Sequence, residues 1–235
     1  MEKTIRLNKY IAQSTGVSRR RADDLIAGGH IKINNHTIYN MGTKVNVGED
    51  EVHYHNKIIT PRNIVYFAVN KPVGYTSTRY DPFADKKVTS LVPNHPPTYP
   101  VGRLDKNSEG LLIMTNDGAL SQTISHPSSH IEKEYYIEAK IIKPNWDVRL
   151  IHRMEEGINI GGYKTKPSKV FGWKVEGGKF TFYIVLGEGK KRQIRRMAQK
   201  IGLEVYKLKR IRIGNLKLGD LKLGEYRKIK KDEIL

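Results

Sequence analysis

The apolar positions of residues 5–27 repeat with helical spacing. Leu7, Tyr10 and Ile11, and then Ala22, Leu25 and Ile26, fall three and four residues apart, which predicts two short helices. Ser18 stands at the N-cap position of the second, and Gly28-Gly29 ends it. From Ile31 the period changes to two. Ile31 and Ile33 alternate with polar residues, Asn34-Asn35 supplies a tight turn, and Ile38 follows, so a hairpin is expected. Val45 and Val47, then Gly48-Glu49-Asp50, then Val52 and Tyr54 predict a second small hairpin. The segment HNKIITPRN, around Pro61, reads as a linker.

Beyond the linker, strands dominate. Residues 64–69, 111–115, 135–142, 169–175 and 180–186 are β-rich and bounded by Gly, Pro or Asn. One amphipathic helix is expected over residues 190–200. Its stripe is Ile194, Met197, Ala198 and Ile201, and Gly202 terminates it. Residues 204–213 form a further strand candidate. The tetrapeptide LKLG occurs at 216–219 and again at 221–224; two copies of four residues predict paired turns, not a solenoid. The whole reads as α+β, with a small helix–helix–sheet domain over 1–61 and a larger strand-rich domain over 62–235.

Composition narrows the class. The chain has 235 residues, 38% of them apolar and 28% charged, enough for a packed core under a very polar surface. No apolar run approaches the roughly 18 residues of a membrane span, and residues 1–14 carry no signal-peptide core. The absence of cysteine excludes disulfides and thiolate metal sites and is compatible with the cytoplasm.

Charge changes the picture more. The formal net charge is +18, and it is unevenly spread. Residues 1–62 carry ten Lys/Arg against six Asp/Glu; residues 187–235 carry sixteen against six. That concentration is an electrostatic footprint for a polyanion, with plain solubility charge as the competing reading. An acidic membrane surface is a weaker alternative, because the basic segments are not long amphipathic helices with exposed aromatics. Arg19, Arg20 and Arg21 fan around the first turn of the second helix, where the helix dipole favours acids instead. Binding by part of the cluster would offset that; a solvated charged turn is the alternative. A DNA-reading helix-turn-helix normally gains a third helix, not β-hairpins.

The candidate chemistry centres on RLDKNSEG, residues 103–110. Oxygen-bearing side chains at alternate positions followed by Gly resemble the start of a calcium loop. Counted from Asp105, however, position 12 falls on Asn116, where a bidentate carboxylate is required, and the flanks are not helical. Asp, Asn, Ser and Gly are also turn formers. A third reading places Asp105 at the core's edge, between Leu104 and Leu111-Leu112, opposed by an arginine from the 190s helix. Arg192, Arg195 and Arg196 are the candidates. Such a carboxylate suits nucleophilic or base chemistry.

Residues 99–118, YPVGRLDKNSEGLLIMTNDG, resemble the signature of the RsuA/RluB/RluF-type ribosomal RNA pseudouridine synthases. NKPVGYTST at 70–78 is similar to the family's Lys-Pro-x-Gly loop, EKEYYIEA at 132–139 to its Lys-x-Tyr strand, and GEGKKRQIRRM at 187–197 to its basic helix. The first sixty residues resemble the alpha-L RNA-binding domain of a small-subunit ribosomal protein. Ser108 stands where the family usually has Thr, and Ile113-Met114 replaces a Leu pair.

The resemblance implies a catalytic domain on a mainly antiparallel mixed sheet with flanking helices. It implies isomerisation of uridine to pseudouridine in RNA, without a cofactor or metal. Asp105 corresponds to the catalytic carboxylate, Arg195 to the arginine that pairs with it, and Tyr135 to the tyrosine that stacks on the target base. A phosphate contact is the alternative for Arg195, and a core aromatic for Tyr135. Lys71 and Arg103 are expected as phosphate or loop-positioning groups. Arg19, Arg20, Arg21, Lys190, Lys191, Arg192 and Arg196 are expected to hold the RNA backbone. RQIRRM is closer to members acting on the large-subunit RNA, which favours 23S over 16S rRNA, free or in an assembling particle. No oligomerisation stripe is visible, so a monomer is expected.

Overall fold

The computed structural model describes residues 4–235. They form two compact units: residues up to 65 with the segment 95–98, and residues 66–94 with 99–235.

The first unit runs β1 (Thr4–Arg6), α1 (Leu7–Thr15), α2 (Arg19–Ala27), β2 (Ile31–Ile33), β3 (His36–Ile38), β4 (Lys44–Asn46), β5 (Val52–Tyr54) and β6 (Lys57–Ile58). Both helices form where the apolar spacing places them. The Ser18 side chain accepts the Arg21 N–H as the N-cap of α2. Leu7, Tyr10, Ile11, Ala22, Leu25 and Ile26 join Ile31, Val45 and Val52 in one core. The first hairpin is present: β2 pairs with β3 across Asn34-Asn35, both at positive φ.

The second hairpin is not. The turn after Asn46 forms, with the Asp50 carboxylate accepting the Asn46 N–H at 2.8 Å. Its two strands part, however: β4 pairs with β1, and β5 pairs with β2 and β6. Local alternation shows that a strand exists; it does not name its partner. The segment read as a linker contains β6, because His55 and Asn56 both take positive φ and turn the chain back onto β5.

The second unit follows as β7 (Tyr66–Lys71), β8 (Tyr99–Val101), β9 (Glu109–Thr115), α3 (Gly118–Ser125), β10 (Lys133–Ile141), α4 (His152–Glu155), β11 (Lys169–Glu176), β12 (Lys179–Leu186), α5 (Gln193–Lys200), β13 (Leu203–Ile213), β14 (Leu216–Lys217) and β15 (Tyr226–Lys228). One mixed sheet has the order β11-β12-β10-β13-β9-β7-β15. All pairings are antiparallel except β13 with β9. Leu111, Leu112, Ile113 and Met114 of β9 are fully buried, as expected of a central strand covered on both faces. On one edge of β9, β7 pairs along the strand. On the other, β13 takes the start and β8 the end.

Gly110, at φ +106, makes the β9–β13 approach possible. A Cβ there would lie 2.3 Å from the Arg210 carbonyl oxygen. The 190s helix starts three residues later than its apolar stripe suggests. Arg192 sits at φ +52 and breaks the helical run before Gln193. The LKLG repeats give β14 followed by turns. The short elements β8, α3, α4 and β15 carry too few periodic positions to be anticipated. Asp117 caps α3 by accepting the Ala119 and Leu120 N–H groups. It also accepts the Tyr66 hydroxyl; burial, then this contact, pushes Tyr66 up to about 12.

Candidate active site

Asp105 lies in the loop between β8 and β9, and neighbouring segments grip that loop on both sides. The Asp105 carbonyl accepts the Ser108 N–H at 3.0 Å, closing a tight turn. The Ser77 hydroxyl donates to the Leu104 carbonyl at 2.8 Å and accepts the Leu104 N–H. The Gly74 N–H donates to the Lys106 carbonyl at 2.8 Å. Both contacts come from the loop after β7, so the Lys-Pro-Val-Gly segment braces the Asp-bearing turn. Arg195 supplies the third grip, donating to the Asn107 carbonyl at 2.7 Å and the Val205 carbonyl at 2.6 Å. The backbone at Leu104, Lys106 and Asn107 is thus fixed, and the partly exposed Asp105 carboxylate is presented between those points.

It is presented into a cleft of about 610 Å³. Asp105 and Tyr135 line it together, with Leu186, Ile194 and Leu208 as apolar wall and Arg103, Lys190, Lys191 and Arg192 as cations. Tyr135 points inward from β10, opposite Ile184 of β12. Tyr136 points to the other face, against Tyr183.

The Glu188–Gln193 turn is built from buried polar contacts. Gln193 donates to Glu188 at 2.7 Å and accepts the Lys190 N–H at 2.9 Å. Glu188 also accepts the Tyr163 hydroxyl and the Lys166 N–H. These bonds fix the basic residues at the cleft wall.

The structure brings together some expected site residues and separates others. Asp105, Tyr135, Arg103, Lys190, Lys191 and Arg192 share the cleft. Arg195 does not line it, and among the described residues no ion pair joins it to Asp105 within 4 Å. Its guanidinium is pushed down by burial and by Arg192, while the Asp105 charge partly offsets both. Arg196 turns toward the Gly161 carbonyl. Lys71 is fully buried, its ammonium donating to the Pro72 carbonyl at 2.9 Å, which removes it from any surface phosphate contact. Arg19, Arg20 and Arg21 are exposed on the first unit. Sequence reasoning missed Glu188, Gln193 and Arg210. Arg210 had a signal: it occupies a core-facing phase of β13, cross-strand from Tyr135.

Residues 65–200 match the family model described as RNA pseudouridylate synthase, and residues 5–52 match the S4 domain. The chain belongs to the RNA pseudouridine synthase family. Ribosomal large subunit pseudouridine synthase B of Bacillus subtilis is 38% identical over 87% of this chain and 84% of the relative. The dual-specificity RNA pseudouridine synthase RluF of Escherichia coli K12 is 39% identical over 100% of this chain and 78% of the relative. A crystal structure of a pseudouridylate synthase superposes with a TM-score of 0.66 at 27% identity, covering 97% of each chain. The S4 match lies within the first unit of this synthase, and the catalytic-domain match lies almost wholly within the second.

Proposed function

We propose that this synthase isomerises a uridine of 23S rRNA near the peptidyl transferase centre, with Asp105 as the catalytic carboxylate. One observation carries the reading. The turn bearing Asp105 is held by three independent backbone contacts, and its carboxylate shares a cation-walled cleft with the inward-facing Tyr135. The N1–C1′ bond of the target breaks, the base turns, and C5 bonds to C1′. The C5 proton is lost and N1 gains one, so atoms balance within the nucleotide and no external group is consumed. Asp105 attacks C1′ or C6, or removes a sugar proton. Each role needs an ionised, aimed carboxylate. Tyr135 stacks on the uracil, and Arg195 acts through the Asn107 carbonyl and its charge. To reach the cleft, the uridine leaves its stack.

The large-subunit substrate is supported by the name of the Bacillus subtilis relative and by the RQIRRM segment of α5. The S4 unit and the catalytic unit, divided near residue 61, hold the RNA backbone of a cytoplasmic substrate as a monomer. The decisive experiment maps pseudouridines in both ribosomal RNAs of a strain lacking the gene, complemented with wild type or Asp105→Asn. The expected result is one 23S position that loses pseudouridine and regains it only with wild type. Loss in 16S instead moves the substrate to the small subunit. Restoration by Asp105→Asn sinks the catalytic assignment. Unchanged maps leave an RNA-binding or assembly protein.

A further inference from the structure

A second cavity of about 320 Å³ adjoins the cleft and shares Arg103, Tyr135, Glu188 and Lys190 with it. Five Lys/Arg side chains line it against one carboxylate. The deepest cation is Arg210, only 2% exposed. Its Nε donates to the Leu111 carbonyl at 2.7 Å, where β13 parts from β9, and its Nη2 has no hydrogen-bond partner among the described residues. Lys133, from β10, lines the same cavity and donates to the Ile131 carbonyl at 2.9 Å. Burial, and then the charge of Arg210, lowers its ammonium to about 8. The one acid does not answer them. Glu188 Oε1 accepts Gln193 and the Lys166 N–H, and Oε2 accepts the Tyr163 hydroxyl. Among the described residues, no carboxylate lies within 4 Å of the Arg210 or Lys133 side-chain nitrogens.

Buried, uncompensated positive charge with an unpaired guanidinium N–H is unfavourable unless an anion completes it. Arg210 is cross-strand from Tyr135, which lines both the cleft and this cavity. We propose that this cavity binds a phosphodiester of the RNA immediately flanking the target uridine, with the buried Arg210 Nη2 and the half-buried Lys133 ammonium as its ligands. The proposal rests on the reading of the Asp105–Tyr135 cleft as the catalytic site. It assigns Lys133 and Arg210 to substrate binding: with one flanking phosphate anchored, the target sugar is held against Asp105.

The test crosses protein charge with RNA charge. An RNA stem-loop converted by the wild type is made with a neutral methylphosphonate linkage on the 5′ or the 3′ side of the target. Neutralising the anchored linkage, and no other, should cut wild-type kcat/KM roughly ten- to hundredfold, the worth of a charge-assisted hydrogen bond. Lys133→Gln should lose a comparable factor on unmodified RNA, mainly through KM. It should lose little more on the methylphosphonate RNA, and Lys133→Arg should recover most of the loss. Lys166→Gln, at an exposed position on the rim, cannot unfold the protein; it should show the same pattern more weakly. Additive losses for Lys133→Gln and Lys166→Gln at both linkages overturn the anion site. Asp105→Asn in parallel isolates the underlying reading. If it is active, the catalytic cleft is wrong; if it is inactive and the losses are additive, only the phosphate cavity falls.

Discussion

Tyr135 and Tyr136 are adjacent, chemically identical and on opposite faces of β10. Tyr135 is buried at the cleft wall, whereas Tyr136 packs beside Tyr183 on the other side of the sheet. Burial, and then the Glu138 charge, pushes the Tyr136 hydroxyl up. The pair is therefore an internal control for the role of a tyrosine hydroxyl. Tyr135→Phe should lower the turnover number roughly 10²-fold or more if the hydroxyl relays a proton. Tyr136→Phe should stay within about twofold, because it lies on the face of β10 away from the cleft. Single-turnover conversion at saturating enzyme checks both, and an unaffected Tyr135→Phe removes that hydroxyl from the chemistry. The face of each residue was legible in the sequence, because strand alternation assigns it. How Arg195 works was not. A motif pairs it with Asp105, but its guanidinium reaches the Asn107 carbonyl instead, and a backbone partner leaves no trace in residue identity.

Elements with a strong period were legible, and those defined by distant partners were not. α1, α2, β12 and β13 each carry an apolar pattern that fixes type and face, and β9 is a continuous apolar run buried on both faces. The partner of β4 depends on β1, some forty residues away, and β8 is three residues long. The end of β7 shows the same limit. Lys71 closes a run of buried positions and is itself fully buried. Burial lowers its ammonium to about 8; Asp105 and Glu109 pull it back up, and Arg210 pushes it further down. The unfolded chain keeps that proton up to about pH 10.4. Between the two values the unfolded state binds more protons than the folded state, so stability rises with pH across that window. Below about pH 8 the cost of holding the charged lysine in the core is fully present. Urea midpoints at about pH 7 and about pH 10 should therefore rise for the wild type. The rise should be smaller in Lys71→Met, where Lys133 still titrates in the same sense and Tyr66, with its raised hydroxyl, in the opposite one. Equal rises in the two proteins would place Lys71 outside the linkage.

On the scale of the whole molecule, the unequal spread of the +18 charge predicts how affinity responds to salt. Each phosphate neutralised releases counterions, so log K falls linearly with log salt. With about six phosphates contacted, the slope should be roughly −4 to −5, and a flat dependence would remove the reading of the excess charge as a polyanion footprint. Within the first unit the arginines of α2 are not equivalent. Arg19 donates to the Asn8 side chain at 3.3 Å, and Arg21 lies 3.8 Å from the Asp24 carboxylate. Among the described residues Arg20 has neither a hydrogen bond nor an ion pair, so its charge is the least compensated of the three. Arg20→Gln should therefore reduce the magnitude of the slope by roughly 0.7, the increment for one phosphate contact to single-stranded RNA. Arg21→Gln should change it less, since removing Arg21 also frees an acid that repels the backbone. Filter binding of the Asp105→Asn protein to a 23S fragment, across a potassium chloride series, separates this from turnover. An unchanged slope for Arg20→Gln takes the first turn of α2 off the RNA and returns its three arginines to solvated surface charge.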